Sequence, residues 1–261
     1  MPIALLDQPQ ISSVLFHPRP ESSIAREDDR THTIRFTLPD GVALGGRLHS
    51  AAADAPVVLF FHGNGEIASD YDDLAKLYRQ IGLSLLIVDY RGYGISGGRP
   101  SAETLITDAL AVSGQAPKLV AGHGLSPARW LVMGRSLGSA PALAVAAESK
   151  TGPTFSGLII ESGFGETLPL VKRLGGTLPS DALESRDGFG NLTRIGQVTM
   201  PTLIIHGEED YLIPFANGRR LFEASAATDK KLLPIANAGH NDLMIVGMSA
   251  YFSAIAQLSR R

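Results

Sequence analysis

The sequence predicts an α/β chain built on a doubly wound, mostly parallel sheet, and three observations carry that prediction. First, five short apolar runs are nearly continuous: Val57–Phe61, Leu83–Val88, Trp130–Met133, Gly157–Ile160 and Thr202–Ile205. Continuous rather than alternating hydrophobicity means burial on both faces, as in a parallel sheet covered by helices. Second, stretches with helical spacing separate these runs: Tyr71–Ile81, Ala102–Ala116, Ala140–Glu148, Phe215–Ala226 and Asp242–Leu258. Strands alternating with helices give right-handed crossovers. Third, the start of the pattern differs. Thr33–Leu38 alternates polar and apolar residues, Pro39-Asp40-Gly41 is a turn, and Val42–His49 resumes. That reads as an antiparallel hairpin with one wet face, set at the N-terminal edge of the sheet.

Composition narrows the class. The chain has 261 residues, 44% of them hydrophobic, enough for one large α/β domain. A net charge of -3 implies no basic face, which argues against nucleic acid as a partner. There is no cysteine, so disulfides, thiolate metal sites and a cysteine nucleophile are excluded, and a reducing compartment fits. Met1–Asp7 carries neither the positive region nor the apolar run of a signal peptide. No stretch approaches the roughly 20 apolar residues of a membrane span, so a cytoplasmic chain is expected. Residues 1–30 are polar, with the charge cluster Arg26-Glu27-Asp28-Asp29-Arg30, and read as an N-terminal arm ordered in part at best. Residues 31–261 form the domain. Within it, the interval of about 163–198 is too long for a plain connection. It reads as a small lid over the sheet's C-terminal edge, with a surface loop of no selective role as the alternative.

The chemistry centres on Gly134-Arg135-Ser136-Leu137-Gly138, set between the Trp130–Met133 strand and an Ala-rich helix. A serine on such a sharp turn is held in a strained conformation with its hydroxyl clear of the sheet. A serine hydroxyl needs a base to take its proton, and that base needs a carboxylate to fix its tautomer. Of the seven histidines, His240 fits best, on the loop Asn237–Asp242 between a late strand and the terminal helix. His62 and His206 end strands beside glycines and read as structural, bonded to backbone; His17, His32, His49 and His123 have no catalytic context. Asp210, just past the Thr202–Ile205 strand, is the acid candidate. Glu208 and Glu209 in the same loop, and Glu161 after the preceding strand, are its rivals. A tetrahedral oxyanion needs preorganised N–H donors. The backbone N–H of Leu137 supplies one, and that of Asn64, in His62-Gly63-Asn64-Gly65-Glu66, supplies the other. This chemistry requires no metal and no organic cofactor.

The order Ser136, Asp210, His240, with His62–Glu66 before it, resembles the α/β-hydrolase superfamily. Asp89-Tyr90-Arg91-Gly92-Tyr93-Gly94-Ile95-Ser96 matches the loop after the fold's fourth strand. With Gly134–Ser139, the chain is similar to the branch of serine-aminopeptidase-like and monoglyceride-lipase-like bacterial hydrolases, whose eukaryotic relatives include protein depalmitoylases. The resemblance covers roughly residues 34–258 and implies an α/β-hydrolase fold and a serine hydrolase acting on a small-molecule ester or thioester. A carboxylic ester of small or medium acyl group comes first, because the lid is short. A thioester, including a lipidated protein, comes second, and a peptide bond at a free N-terminus third. A ligand-binding protein on a hydrolase scaffold stays open as the non-enzymatic reading, since fold does not fix function. The Asp89–Gly98 loop reads as scaffold, and Arg135 as a buried-pair residue rather than a substrate clamp.

Overall fold

The protein is described by a computed structural model over residues 4–22 and 27–261. Residues 1–3 and 23–26 of the expected arm, including Arg26 of its charge cluster, lie outside the described residues. The strands are β1 (Thr31–Thr37), β2 (Ala43–His49), β3 (Val57–Phe61), β4 (Ser84–Val88), β5 (Trp130–Arg135), β6 (Phe155–Glu161), β7 (Thr202–Gly207) and β8 (Lys230–Ile235). They form one eight-stranded sheet in the order β1-β2-β4-β3-β5-β6-β7-β8. β1 pairs antiparallel with β2, and β2 with β4; every other pairing is parallel. The hairpin turns at Gly41, whose φ of 83° is one that glycine adopts without steric cost.

Burial on both faces follows from the pleat. Val57, Leu59 and Phe61 join one core, whereas Val58 and Phe60 join the other. The first core is covered by α3 (Ala102–Gly122) and α4 (Ser139–Glu148). The second is covered by α2 (Ala75–Gln80), α9 (Leu243–Val246) and α10 (Met248–Leu258). Ala140, Ala142 and Ala144 are fully buried, so α4 sits close against the sheet. Among the described residues no helix is long and apolar enough to cross a membrane.

Three helices differ from the sequence pattern. The expected Tyr71–Ile81 helix is split into a 3₁₀ turn (Ala68–Tyr71) and the shorter α2. α3 runs past the expected end at Ala116, carrying Pro117 inside it. The expected Asp242–Leu258 helix breaks at Gly247, where a Cβ would stand 2.7 Å from Ile235 Cγ2.

The described part of the N-terminal arm is packed. Helix α1 (Pro9–Leu15) starts with proline at its first position, where the missing N–H costs nothing. Leu6, Ile11, Leu15 and Phe16 are buried in the first core. Asp7 Oδ1 accepts the Ala102 N–H at 2.5 Å at the start of α3. The interval 163–198 holds α5 (Thr167–Arg173), α6 (Glu184–Asp187) and α7 (Asn191–Ile195). Glu184 folds α6 back onto α5 by accepting the Thr167 and Leu168 N–H groups, both at 2.8 Å. Arg173 reaches across to donate to the Tyr211 carbonyl from Nε and Nη2, at 3.0 and 2.9 Å. The last described helix before β8 is α8 (Ala216–Ala224).

Candidate active site

Ser136 opens a 3₁₀ turn directly after β5, with φ of 52°, a left-handed conformation that is costly for a residue with a side chain. The flanking glycines make the turn possible. A Cβ on Gly134 would come 2.2 Å from the Gly138 carbonyl oxygen, and one on Gly138 would come 2.0 Å from that of Phe61. The turn therefore packs against the end of β3, directly beside the His62–Glu66 loop. Ser139 Oγ donates to the Ser136 carbonyl at 2.7 Å and closes the turn.

Asp210 and His240 come from the loops after β7 and β8. These loops are strapped together: Glu208 N–H donates to Ile235 O (3.1 Å) and Glu209 N–H to Ala238 O (2.9 Å). Asp242 Oδ1 accepts the Gly239 N–H at 2.6 Å and tightens the His240 loop. The result brings three expected residues into one line. His240 Nε2 lies 3.0 Å from Ser136 Oγ, and His240 Nδ1 lies 2.7 Å from Asp210 Oδ2. The Asp210 side chain is fully buried and that of His240 only 9% exposed. Burial alone would push the Asp210 carboxyl up. Hydrogen bonding from His206 and His240, the His240 charge and the Ile213 N–H together hold it well below the usual carboxylate range.

The rivals go elsewhere. Glu208 and Glu209 are exposed. Glu161 is buried and engaged, accepting from Arg135 Nε at 3.0 Å and from the Tyr251 hydroxyl at 2.6 Å. His62 and His206 bond to backbone carbonyls, of Gly63 at 2.8 Å and of Ile213 at 2.7 Å. Arg91 pairs with Asp108 and Asp40, as a scaffold loop should.

Leu137 follows Ser136 in the 3₁₀ turn, and Asn64 sits on the adjoining loop after β3. The tyrosines of the Asp89–Gly98 loop buttress that loop: Tyr90 hydroxyl donates to His62 O at 2.6 Å, and Tyr93 hydroxyl to Asn64 Oδ1 at 2.7 Å. Sequence reasoning missed a third support. His17, just beyond α1, donates its N–H to Asn64 Oδ1 (2.8 Å), and its ring Nδ1 accepts from Asn64 Nδ2 (3.0 Å). The partners lie 47 residues apart, and only the four-residue spacing of Ile11 and Leu15 hinted that the arm carries a buried face. Among the described residues no cluster of three or more His, Asp or Glu side chains could hold a metal ion.

A mostly parallel eight-stranded sheet, begun by an antiparallel hairpin and wrapped by helices, defines an α/β-hydrolase. The sequence matches the serine aminopeptidase S33 family over residues 52–185. It is 34% identical over 209 residues to an uncharacterized protein of Mycobacterium tuberculosis strain H37Rv, covering 78% of this chain and 70% of that one. It is 31% identical over 194 residues to human alpha/beta hydrolase domain-containing protein 17B, covering 73% of this chain and 62% of that relative. Two solved structures share the fold. The Pyrococcus furiosus esterase Pf2001 superposes with a TM-score of 0.72 at 18% identity, covering 93% of this chain and 98% of its own. Est1E from Butyrivibrio proteoclasticus, with ferulic acid bound, superposes with a TM-score of 0.66 at 20% identity, covering 87% and 100%. The chain belongs to the serine aminopeptidase S33 family of α/β-hydrolases.

Proposed function

We propose that this hydrolase cleaves a carboxylic ester of small or medium acyl group through an acyl-enzyme on Ser136. One observation carries the reading: the unbroken hydrogen-bonded line from Ser136 Oγ through His240 to Asp210. In it, Ser136 attacks the carbonyl carbon while His240 Nε2 takes its proton. Asp210 holds the imidazole with its other proton on Nδ1 and stabilises the charged ring. The oxyanion is met by the N–H groups of Leu137 and Asn64. His240 then protonates the leaving alkoxide. A water, deprotonated by His240, breaks the acyl–Ser136 bond and restores the enzyme. A lid of only three short helices, over residues 163–198, suits a small or medium acyl group. The absence of cysteine favours the cytoplasm.

A second reading is a thioester of a longer acyl chain. It is favoured by Tyr211 and Leu212, 80% and 40% exposed beside Asp210, which offer apolar surface on which a long acyl chain could lie. Peptide cleavage at a free N-terminus would need an anion holding the amine, and the exposed Glu208 and Glu209 make a weak anchor.

The test is hydrolysis of p-nitrophenyl esters from acetate to palmitate, with fluorophosphonate labelling, for the wild type and Ser136→Ala. The expected result is labelling and short-chain activity that both vanish in the variant, with kcat falling by about 10⁶-fold. A peak at palmitate would move the reading to lipase or thioesterase. Ser136→Ala with wild-type turnover would overturn it. A wild type that is neither labelled nor active on any ester would favour a ligand-binding role.

A further inference from the structure

Arg135, the residue immediately before Ser136, has a job that its sequence neighbourhood does not announce. Its guanidinium is nearly buried, at 8% exposure, and each of its nitrogens points to a different part of the site. Nε donates to Glu161 at the end of β6, at 3.0 Å. Nη1 pairs with Glu66 of the loop after β3. Nη2 donates twice into the loop after β8, to the His240 carbonyl and to Asn241 Oδ1, both at 2.9 Å.

Each contact continues to something that matters. Glu66 Oε2 accepts the Gly63 N–H at 2.7 Å and the Tyr71 hydroxyl at 2.6 Å, so the pairing with Arg135 fixes the turn that carries Asn64. The loop passes close to this pair: a Cβ on Gly63 would come 2.8 Å from Arg135 Nη1 and 2.9 Å from Glu66 Oε2 and press on both side chains. Glu161 is locked in turn by Tyr251. The two contacts to the His240 loop hold the backbone of the residue whose ring faces Ser136.

We infer that Arg135 is the positioning residue of this site, setting the His240 loop and the Asn64 loop in register with Ser136 at once. The inference rests on the serine-hydrolase reading above. A planar fork with five donors can serve two loops and a strand end in one plane of contacts, which an ammonium on a flexible stem cannot. Misplacing reacting groups by about 1 Å costs about 10²-fold in rate, so a residue that touches no substrate can still govern turnover.

The test compares Arg135→Lys, Asn241→Ala and their double variant in the full chain. Fluorophosphonate titration counts working sites, so kcat is expressed per labelled site. Arg135→Lys is expected to lower that kcat by about 30- to 100-fold with KM within about threefold. Asn241→Ala, which leaves the His240 carbonyl contact in place, is expected to cost about 3- to 10-fold. Because both act on one link, the double variant should fall no more than about threefold below Arg135→Lys alone. A purely structural role would lower the labelled fraction and Tm but leave kcat per labelled site unchanged, and that result overturns the inference; so does a double variant whose losses multiply. Should Arg135→Lys fail to fold, Asn241→Ala with wild-type kcat per site overturns it by itself. A second readout needs no substrate: the downfield proton resonance of the His240–Asp210 hydrogen bond should broaden or vanish in Arg135→Lys, and an unchanged signal overturns the inference. The serine-hydrolase reading fails separately, through a wild type that does not label.

Discussion

Asp210→Asn is the substitution whose outcome the geometry constrains most tightly. The two oxygens of Asp210 face different partners. Oδ1 accepts the N–H groups of Leu212 at 3.0 Å and Ile213 at 2.7 Å, while Oδ2 faces His240 Nδ1 at 2.7 Å. An asparagine must keep its carbonyl oxygen toward the two backbone donors, because the opposite flip sets N–H against N–H. Its amide nitrogen then faces His240. A ring that meets a donor at Nδ1 must accept there, which moves its proton to Nε2, the nitrogen 3.0 Å from Ser136 Oγ. Such a ring has no lone pair left for the serine proton. Locking a catalytic histidine in the wrong tautomer costs about 10⁴-fold in kcat, or about 5.4 kcal/mol. His206 Nε2, 3.4 Å from Oδ2, then faces an amide N–H instead of a carboxylate but keeps its bond to the Ile213 carbonyl at 2.7 Å, so the fold should survive with some loss of stability. The assay is p-nitrophenyl butyrate hydrolysis with a thermal melt alongside. A variant that keeps more than about a tenth of wild-type kcat, while Ser136→Ala is inactive, would refute the tautomer argument. Glu208→Gln and Glu209→Gln, exposed in the same loop, should stay within about twofold of wild type.

Three further outcomes follow from other parts of the molecule. Burial, with Arg79 and Arg47 nearby, pushes His49 from its ordinary 6.5 down to about 4. Between those values the unfolded chain binds a proton that the folded chain does not. The neutral ring therefore contributes stability that is full above pH 6.5 and is lost on acidification, by up to about 3 kcal/mol. Melts at pH 7 and pH 4.5 should differ more for the wild type than for His49→Gln, and equal differences would clear His49 of the effect. Gly138→Ala drives a Cβ to 2.0 Å from the Phe61 carbonyl oxygen, against backbone that cannot yield. It should destabilise by about 3 kcal/mol or more, read as a large drop in Tm or insoluble expression; a melt near wild type would contradict it. His17→Ala removes the ring contact to Asn64 but leaves the backbone one. It should lower kcat by about fivefold, the equivalent of one hydrogen bond, with Tm little changed; an unchanged kcat would mean that Tyr93 and the backbone N–H of residue 17 suffice to hold Asn64.

What was legible in the sequence is what local chemistry encodes. The apolar runs at Val57–Phe61 and Trp130–Met133 could only be strands buried on both faces, and they are. Gly134 and Gly138 declared a turn too tight for side chains, and the contacts a Cβ would make there bear this out. Ser136, Asp210 and His240 could be named because each sits at the end of a readable strand. The partners of Arg135 could not, because Glu66 and His240 lie 69 and 105 residues away and no periodicity links them. The packing of α1 was hidden for a related reason. Its two buried positions, Ile11 and Leu15, fall in a seven-residue helix among polar residues, below the length at which a helical period stands out. Pro9 occupies the first helical position, where its missing N–H costs nothing.

The docking of residues 4–22 also sets an order on how the molecule comes together. Val14 packs beside Gly176, and Asp7 binds a backbone group 95 residues further along. At a synthesis rate of about 5–20 residues per second, Gly176 follows Val14 out of the ribosome by roughly 10–30 s. During that delay Leu6, Ile11, Leu15 and Phe16 lack part of the surface that buries them, since α5, against which α1 packs, is still to be made. Closing so distant a contact also carries an entropic cost that rises slowly with the loop it spans. Residues 4–22 thus complete their contacts only once the chain has been made past Gly176.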